Sequence, residues 1–202
     1  MRVPKNYLMR SKMVKKEQAQ LNPWVPQKVF LTKGVGIHAE RLNSFEEALR
    51  DARMSPMNLV MVSSIVPPHC ELVGMEEGLR LLSPGQITFC VMSRCDSDEE
   101  GRLLAAAVAL LLPENGDDYG YISEYHGYGK KLDEVEDWVC DQAAELYASA
   151  KGFKINWRRA WSQADFKYTL EERRYSPKYV VSVAEGKKGK WVTTVAAAVF
   201  IL

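Results

Sequence analysis

The sequence predicts an α+β fold: a layered sandwich of strands and helices with largely antiparallel sheets. Two observations carry that reading. Strand-length apolar runs and helical patterns are interleaved along the chain. The last strand-like runs also follow one another across short connections, as antiparallel neighbours do. A third observation is negative. The chain contains no G-x-G-x-x-G and no P-loop sequence, so nothing points to a nucleotide or to a doubly wound dinucleotide fold. At 202 residues the chain can build one domain with a full-sized core, and no internal repeat divides it.

Residues 1–26 are basic and then broken by Pro23 and Pro26. They are read as a flexible arm ahead of a single domain over 27–202. Residues 28–33 form a short strand that ends at Gly34 and Gly36. Ser44 opens a helix: S-F-E-E is a capping box in which Ser44 accepts from first-turn amides and Glu47 reaches back. Phe45, Leu49 and Ala52 follow on one face. Residues 57–65 are continuously apolar and β-branched apart from Asn58 and the two serines, so they read as one buried strand, stopped by Pro67 and Pro68. Residues 86–92 are a strand. Residues 99–112, rich in Ala and Leu, read as an apolar helix, and 119–125 as a strand. Residues 132–150 carry the clearest helical stripe, through Leu132, Val135, Val139, Ala143, Leu146 and Ala150. Residues 166–170, 179–183 and 191–201 are late strands, with a charged turn over 185–190.

The formal net charge is +1, far from the strongly basic balance of a dedicated nucleic-acid binder. Cys70, Cys90, Cys95 and Cys140 form no C-x-x-C pair, and no two histidines stand at zinc-ligand spacing. His69, Cys70 and Glu71 are adjacent, and in an extended segment neighbours point to opposite faces, so no metal is expected there. The longest apolar stretches, 103–113 and 191–202, fall short of the ~20 residues of a membrane span. With no signal-peptide pattern and thiols expected to stay reduced, a cytoplasmic protein is expected.

Three features carry chemistry. Ser63-Ser64 ends an apolar strand directly before I-V-P-P. Two serines at a strand end are ordinarily a turn or a cap. Here a rigid proline pair follows them, which suits a self-cleaving bond held in near-attack geometry. The Ser64 hydroxyl would attack the Ser63 carbonyl carbon, exchanging amide for ester. Elimination and hydrolysis would then release ammonia and leave a pyruvoyl group at position 64. Glu124 lies in Y-I-S-E-Y; desolvated, it would hold a proton near neutral pH, whereas on a half-exposed strand it would simply face water. Asn58 precedes the serines on the same strand.

These residues resemble the pyruvoyl-dependent arginine decarboxylases. The likeness is carried by L-N-S-F-E-E-A-L (42–49), N-L-V-M-V-S-S-I-V-P-P (58–68), Y-I-S-E-Y-H-G (121–127) and V-A-A-A-V-F (195–200), in that order, over roughly 28–202. The resemblance implies an αββα sandwich, self-cleavage between Ser63 and Ser64, and a covalent pyruvoyl group derived from Ser64 as the sole cofactor, with no metal. It implies that L-arginine becomes agmatine and carbon dioxide through a Schiff base on that group. Asn58 is implied to hold the pyruvoyl carbonyl, Glu124 to be the catalytic acid, Leu49 to line the pocket, and Glu46, with Ser63, to contact the substrate. It also implies trimers, or dimers of trimers, with sites between subunits. One position departs from the family pattern. Where F-D-x-A-L is typical, this chain has F-E-E-A-L, so the acid that would grip the guanidinium is Glu46, one methylene longer. The charge is kept. Another cationic amino acid, or an unprocessed non-catalytic oligomer subunit, are the alternative readings.

Overall fold

Two sheets stack face to face, with helices on both outer sides, in a computed structural model that describes residues 23–114, 116–156, 160–162, 167–170 and 173–202. The first sheet is built from β1 (Lys28–His38), β2 (Asn58–Met61), β4 (Glu71–Leu72), β5 (Ile87–Ser97) and β11 (Trp191–Ile201), in the order β2-β5-β11-β1-β4. The second contains β3 (Ile65–Val66), β6 (Leu103–Pro113), β7 (Gly120–Tyr128), β8 (Trp161–Ser162), β9 (Lys167–Leu170) and β10 (Arg173–Glu185), in the order β3-β7-β6-β10-β9-β8. Pairing is antiparallel except for β2 with β5 and β1 with β4. Helices α1 (Arg41–Asp51) and α2 (Met75–Arg80) cover the first sheet, and α3 (Leu132–Lys151) covers the second. The α+β sandwich expected from the sequence is the one observed.

Three apolar layers result. Between the sheets, Val29, Val91, Ala198 and Phe200 meet Ala106, Val108, Leu110 and Ile122. Under α1 and α2 lie Phe30, Cys90, Val195 and Val199. Under α3 lie Ala105, Ala107, Ala109 and Tyr175.

Residues 103–113 are a strand where the sequence reading places a helix. β6 is paired on both edges, with β7 and β10, and buried on both faces. Its odd-numbered residues serve the layer under α3 and its even-numbered ones the layer between the sheets. Such a strand is apolar at every position, so it carries no period to distinguish it from a buried helix. Pairing on both sides then overrides the helical propensity of Ala and Leu.

β1 also runs past its expected end, to His38. Gly34 and Gly36 do not stop it; they let α1 lie directly on it. A Cβ at Gly34 would strike the Ala48 carbonyl oxygen, and one at Gly36 the Ser44 carbonyl oxygen. That contact dissolves the expected capping box. α1 begins at Arg41, and Ser44 is buried one turn in, donating to the Arg41 carbonyl (2.8 Å) and sharing a 2.7 Å bond with Thr193 Oγ1. Glu47 Oε2 and Asp51 Oδ2 instead accept from the backbone N–H groups of Ile37 (3.1 Å) and Val35 (2.8 Å), which lie on β1 beyond its short pairing with β4.

α3 forms as expected and ends at Gly152 in the left-handed region, φ 73°. Its buried face runs through Val135, Val139 and Ala143 and continues through Tyr147, whereas Leu132, Leu146 and Ala150 are exposed. The late strands and the turn over 185–190 are present, and Phe166 lies outside the described residues. No helix among the described residues is long and apolar enough to cross a membrane.

Candidate active site

Residues 57–65 are not one buried strand. β2 stops at Met61, β3 starts at Ile65, and between them the chain leaves the first sheet and enters the second. Ser63-Ser64 is that crossover. Three amide hydrogen bonds hold it: Val62 N–H to the Cys90 carbonyl (3.0 Å), Ile65 N–H to the Ser63 carbonyl (3.1 Å) and Ile122 N–H to the Ser64 carbonyl (2.8 Å). The first ties the approach to β5 and the last ties the exit to β7. Ser63 is exposed and Ser64 half-buried. Ser63 borders an apolar cleft of about 430 Å3, walled by Trp24, Val62, Ile65 and Phe89. β2 is an edge strand, and its apolar side chains lie open: Met61 is 51% exposed and neighbouring Ile87 62%.

Glu124 is brought to this crossover by register. Ile122, whose N–H holds Ser64, points into the layer between the sheets. Glu124 follows two residues later on β7, so it rises from the same face about 7 Å further along. Its side chain is exposed at the surface of the single chain, yet enough protein packs round the carboxyl to raise its pKa by desolvation, with His126 opposing. Both sequence readings of Glu124 therefore hold in part. Burial, reinforced by the Glu124 charge, pushes the Cys90 thiol up to about 11, so Cys90 stays protonated and adds no charge to the site.

β5 stitches itself to β7 just beyond this point. Ser93 donates to the Tyr125 carbonyl and the Cys95 thiol to the Gly127 carbonyl (3.4 Å). On the other face of β7, Ser123 donates to the Val139 carbonyl in α3. These residues fix the strand that carries Glu124. Sequence reasoning did not single them out, because only the stacking of β5 against β7 gives them partners.

The remaining residues expected at the site stand elsewhere in the single chain. Asn58 is exposed at the far end of β2, with Nδ2 donating to the Gly85 carbonyl (2.8 Å). Four residues lie between it and Ser63, five strand-like steps that span about 16 Å. Leu49 is 6% exposed, buried beneath α1. Glu46 is exposed on α1, which packs on β1 and β11, while β2 lies two strands from β11. One chain thus gathers Ser63, Ser64 and Glu124, but not Asn58, Glu46 and Leu49. Among the described residues no cluster of His, Cys, Asp and Glu could hold a metal ion. In the His69-Cys70-Glu71 run, burial drives the Cys70 thiol up to about 12, which disfavours the thiolate a metal would need.

The profile described as "Pyruvoyl-dependent arginine decarboxylase" matches residues 28–202. The chain is 45% identical over 178 residues to pyruvoyl-dependent arginine decarboxylase 2 of Methanosarcina acetivorans, covering 88% of this chain and 97% of that protein. It is 44% identical over 179 residues to the probable pyruvoyl-dependent arginine decarboxylase of Chloroherpeton thalassium, covering 88% and 98%. It is also 44% identical over 178 residues to pyruvoyl-dependent arginine decarboxylase 2 of Methanosarcina mazei, covering 88% and 97%.

Proposed function

The chain belongs to the pyruvoyl-dependent arginine decarboxylase family, and from that premise we propose how its own residues convert L-arginine to agmatine and carbon dioxide. It is a carboxy-lyase that depends on a covalent pyruvoyl group. That group supplies an electron sink for the electrons left when the carboxylate departs. Ser64 is its source. The observation that carries this assignment is the sheet crossover, where three amide hydrogen bonds hold the Ser63-Ser64 segment beside Glu124.

Glu124 is the acid. Desolvation raises its pKa, which favours the protonated form that delivers a proton to the substrate's α-carbon. Asn58 orients the carbonyl group at position 64, Ser63 borders the substrate, and Glu46 pairs with the guanidinium. Leu49 supports that wall from beneath by seating the turn that carries Glu46. Since one chain does not gather these residues, the complete site lies between copies, in a homotrimer or a dimer of trimers. The open apolar edge at β2 favours this arrangement. Four free cysteines, three of them buried, accord with a cytoplasmic setting. Neither a nucleic acid nor a membrane is a partner in this reading.

A second reading keeps the chemistry and changes the substrate. Glu46 reaches one methylene further than the aspartate typical of the family, which favours a shorter cationic amino acid. Intact mass of the purified protein tests the first step: two fragments split after Ser63 are expected, and one uncleaved chain with full activity would overturn the proposal. Release of carbon dioxide from arginine, lysine and ornithine separates the two substrate readings.

A further inference from the structure

The crossover contains a hydrogen bond with a chemical use of its own. Ile65 N–H donates to the Ser63 carbonyl across a single intervening residue, which closes a γ-turn centred on Ser64. Among the described residues only Arg53 and His69 are non-glycine residues with positive φ, so the turn is the inverse, unstrained form. We propose that the Ile65 backbone N–H is the oxyanion donor of self-cleavage, stabilising the charge that develops on the Ser63 carbonyl oxygen.

The chemistry places the charge at that atom. Ser64 Oγ bonds to the Ser63 carbonyl carbon, forming a five-membered ring, and its proton passes to solvent. The carbonyl π electrons move onto the Ser63 oxygen. As the oxyanion collapses, the C–N bond breaks and the nitrogen of residue 64 takes up a proton, leaving an ester. Loss of the Cα proton then expels the Ser63 carboxylate and leaves dehydroalanine. Water adds to its imine tautomer and ammonia departs, so one water is consumed and no oxidant is needed.

The donor stands 3.1 Å from the ground-state carbonyl oxygen, beside the position where the oxyanion forms. It is also held in place before the reaction. Val62 N–H is bound to Cys90 on one side and Ile122 N–H holds the Ser64 carbonyl on the other, so the turn need not reorganise as charge appears. The adjoining cleft is walled by Val62, Ile65 and Phe89, and a dipole acts on charge more strongly beside apolar walls than in open water. No side chain is needed for this role, which is why residue-by-residue reading of the motif does not find it.

The proposal rests on self-cleavage at Ser63-Ser64, and the experiment separates the two. The chain is made in a cell-free pulse and its cleavage is followed in time by intact mass. In one variant the 2-hydroxy acid analogue of isoleucine replaces Ile65, changing the amide to an ester; this deletes the N–H and also weakens the Ser64 carbonyl as an acceptor from Ile122, a loss that the second variant controls for. In a second variant the same exchange is made at Ile122. Far-UV circular dichroism checks that both fold. The expected result is cleavage about 10²-fold slower for the exchange at 65, with a much smaller change for the exchange at 122. Equal rates for wild type and the variant at 65, or equal slowing in both variants, would overturn the donor role. A wild-type chain that never splits after Ser63 would instead overturn the self-cleavage reading.

Discussion

β6 and the segment from β2 through Ser64 are both apolar, strand-like runs, and the fold treats them in opposite ways. β6 has a partner on each edge and a packed layer on each face. β2 has one partner, β5, and its last residue Met61 and the following Val62 lie in the open. Apolar sequence therefore fixes strand formation in both cases, but only β6 spends it on the core of a single chain. The other run ends where the backbone changes sheet, and the bond proposed for self-cleavage lies at that change.

The largest expected effect breaks this comparison at its reactive end. Ser64→Ala removes the nucleophile, so the chain should remain whole on denaturing gels and release no carbon dioxide. Glu124→Gln comes next: turnover should fall about 10²–10³-fold, as loss of a general acid does. The pH profile fixes its sign. A raised carboxyl pKa keeps the acid protonated at lower pH, so wild-type turnover should decline as pH rises through that raised value. In Glu124→Gln that limb should vanish from the residual rate; its survival would assign the limb to another group.

A matched pair then probes stability. Leu110→Ala, in the fully buried middle of β6, should cost about 3 kcal/mol by urea denaturation. Met61→Glu, on the open edge, should leave the single chain's folding nearly unchanged, within about 0.5 kcal/mol. It should instead shift the protein to smaller species by analytical ultracentrifugation. A trimer that tolerates Met61→Glu would place the subunit contact elsewhere. The smallest change is expected from Glu46→Asp: about tenfold, in KM rather than kcat, at the low end of the ~1–3 kcal/mol that one methylene in a pocket is worth. An effect confined to kcat would argue against guanidinium binding by this residue.

Much of this was legible residue by residue. The helix over 132–150 announces itself through a period that one buried face imposes. Ser63-Ser64 stands out because Pro67 and Pro68 follow it. The spacing of Asn58, the serines and Glu124 carries the family likeness. Less legible was anything decided by a second surface. Ser44 reads as a cap because its sequence neighbours suit one, whereas Thr193, far along the chain, claims its hydroxyl. Glu124 reads equally as a solvated or a desolvated acid until β5 is stacked beside β7.

By itself, then, the sequence determined the α+β class, most of the strands and the α3 helix, and it singled out the bond proposed to be cut, since each depends on local period, local turn chemistry or a contiguous motif. Only the tertiary structure decided that residues 103–113 are a strand, that β2 is an exposed edge, and that Ile65 and Ile122 aim their amides at the two serine carbonyls. Those outcomes depend on which surfaces meet across long sequence separations. Apolar runs specify that burial will occur, but not which layer supplies it or which edge is left for another chain.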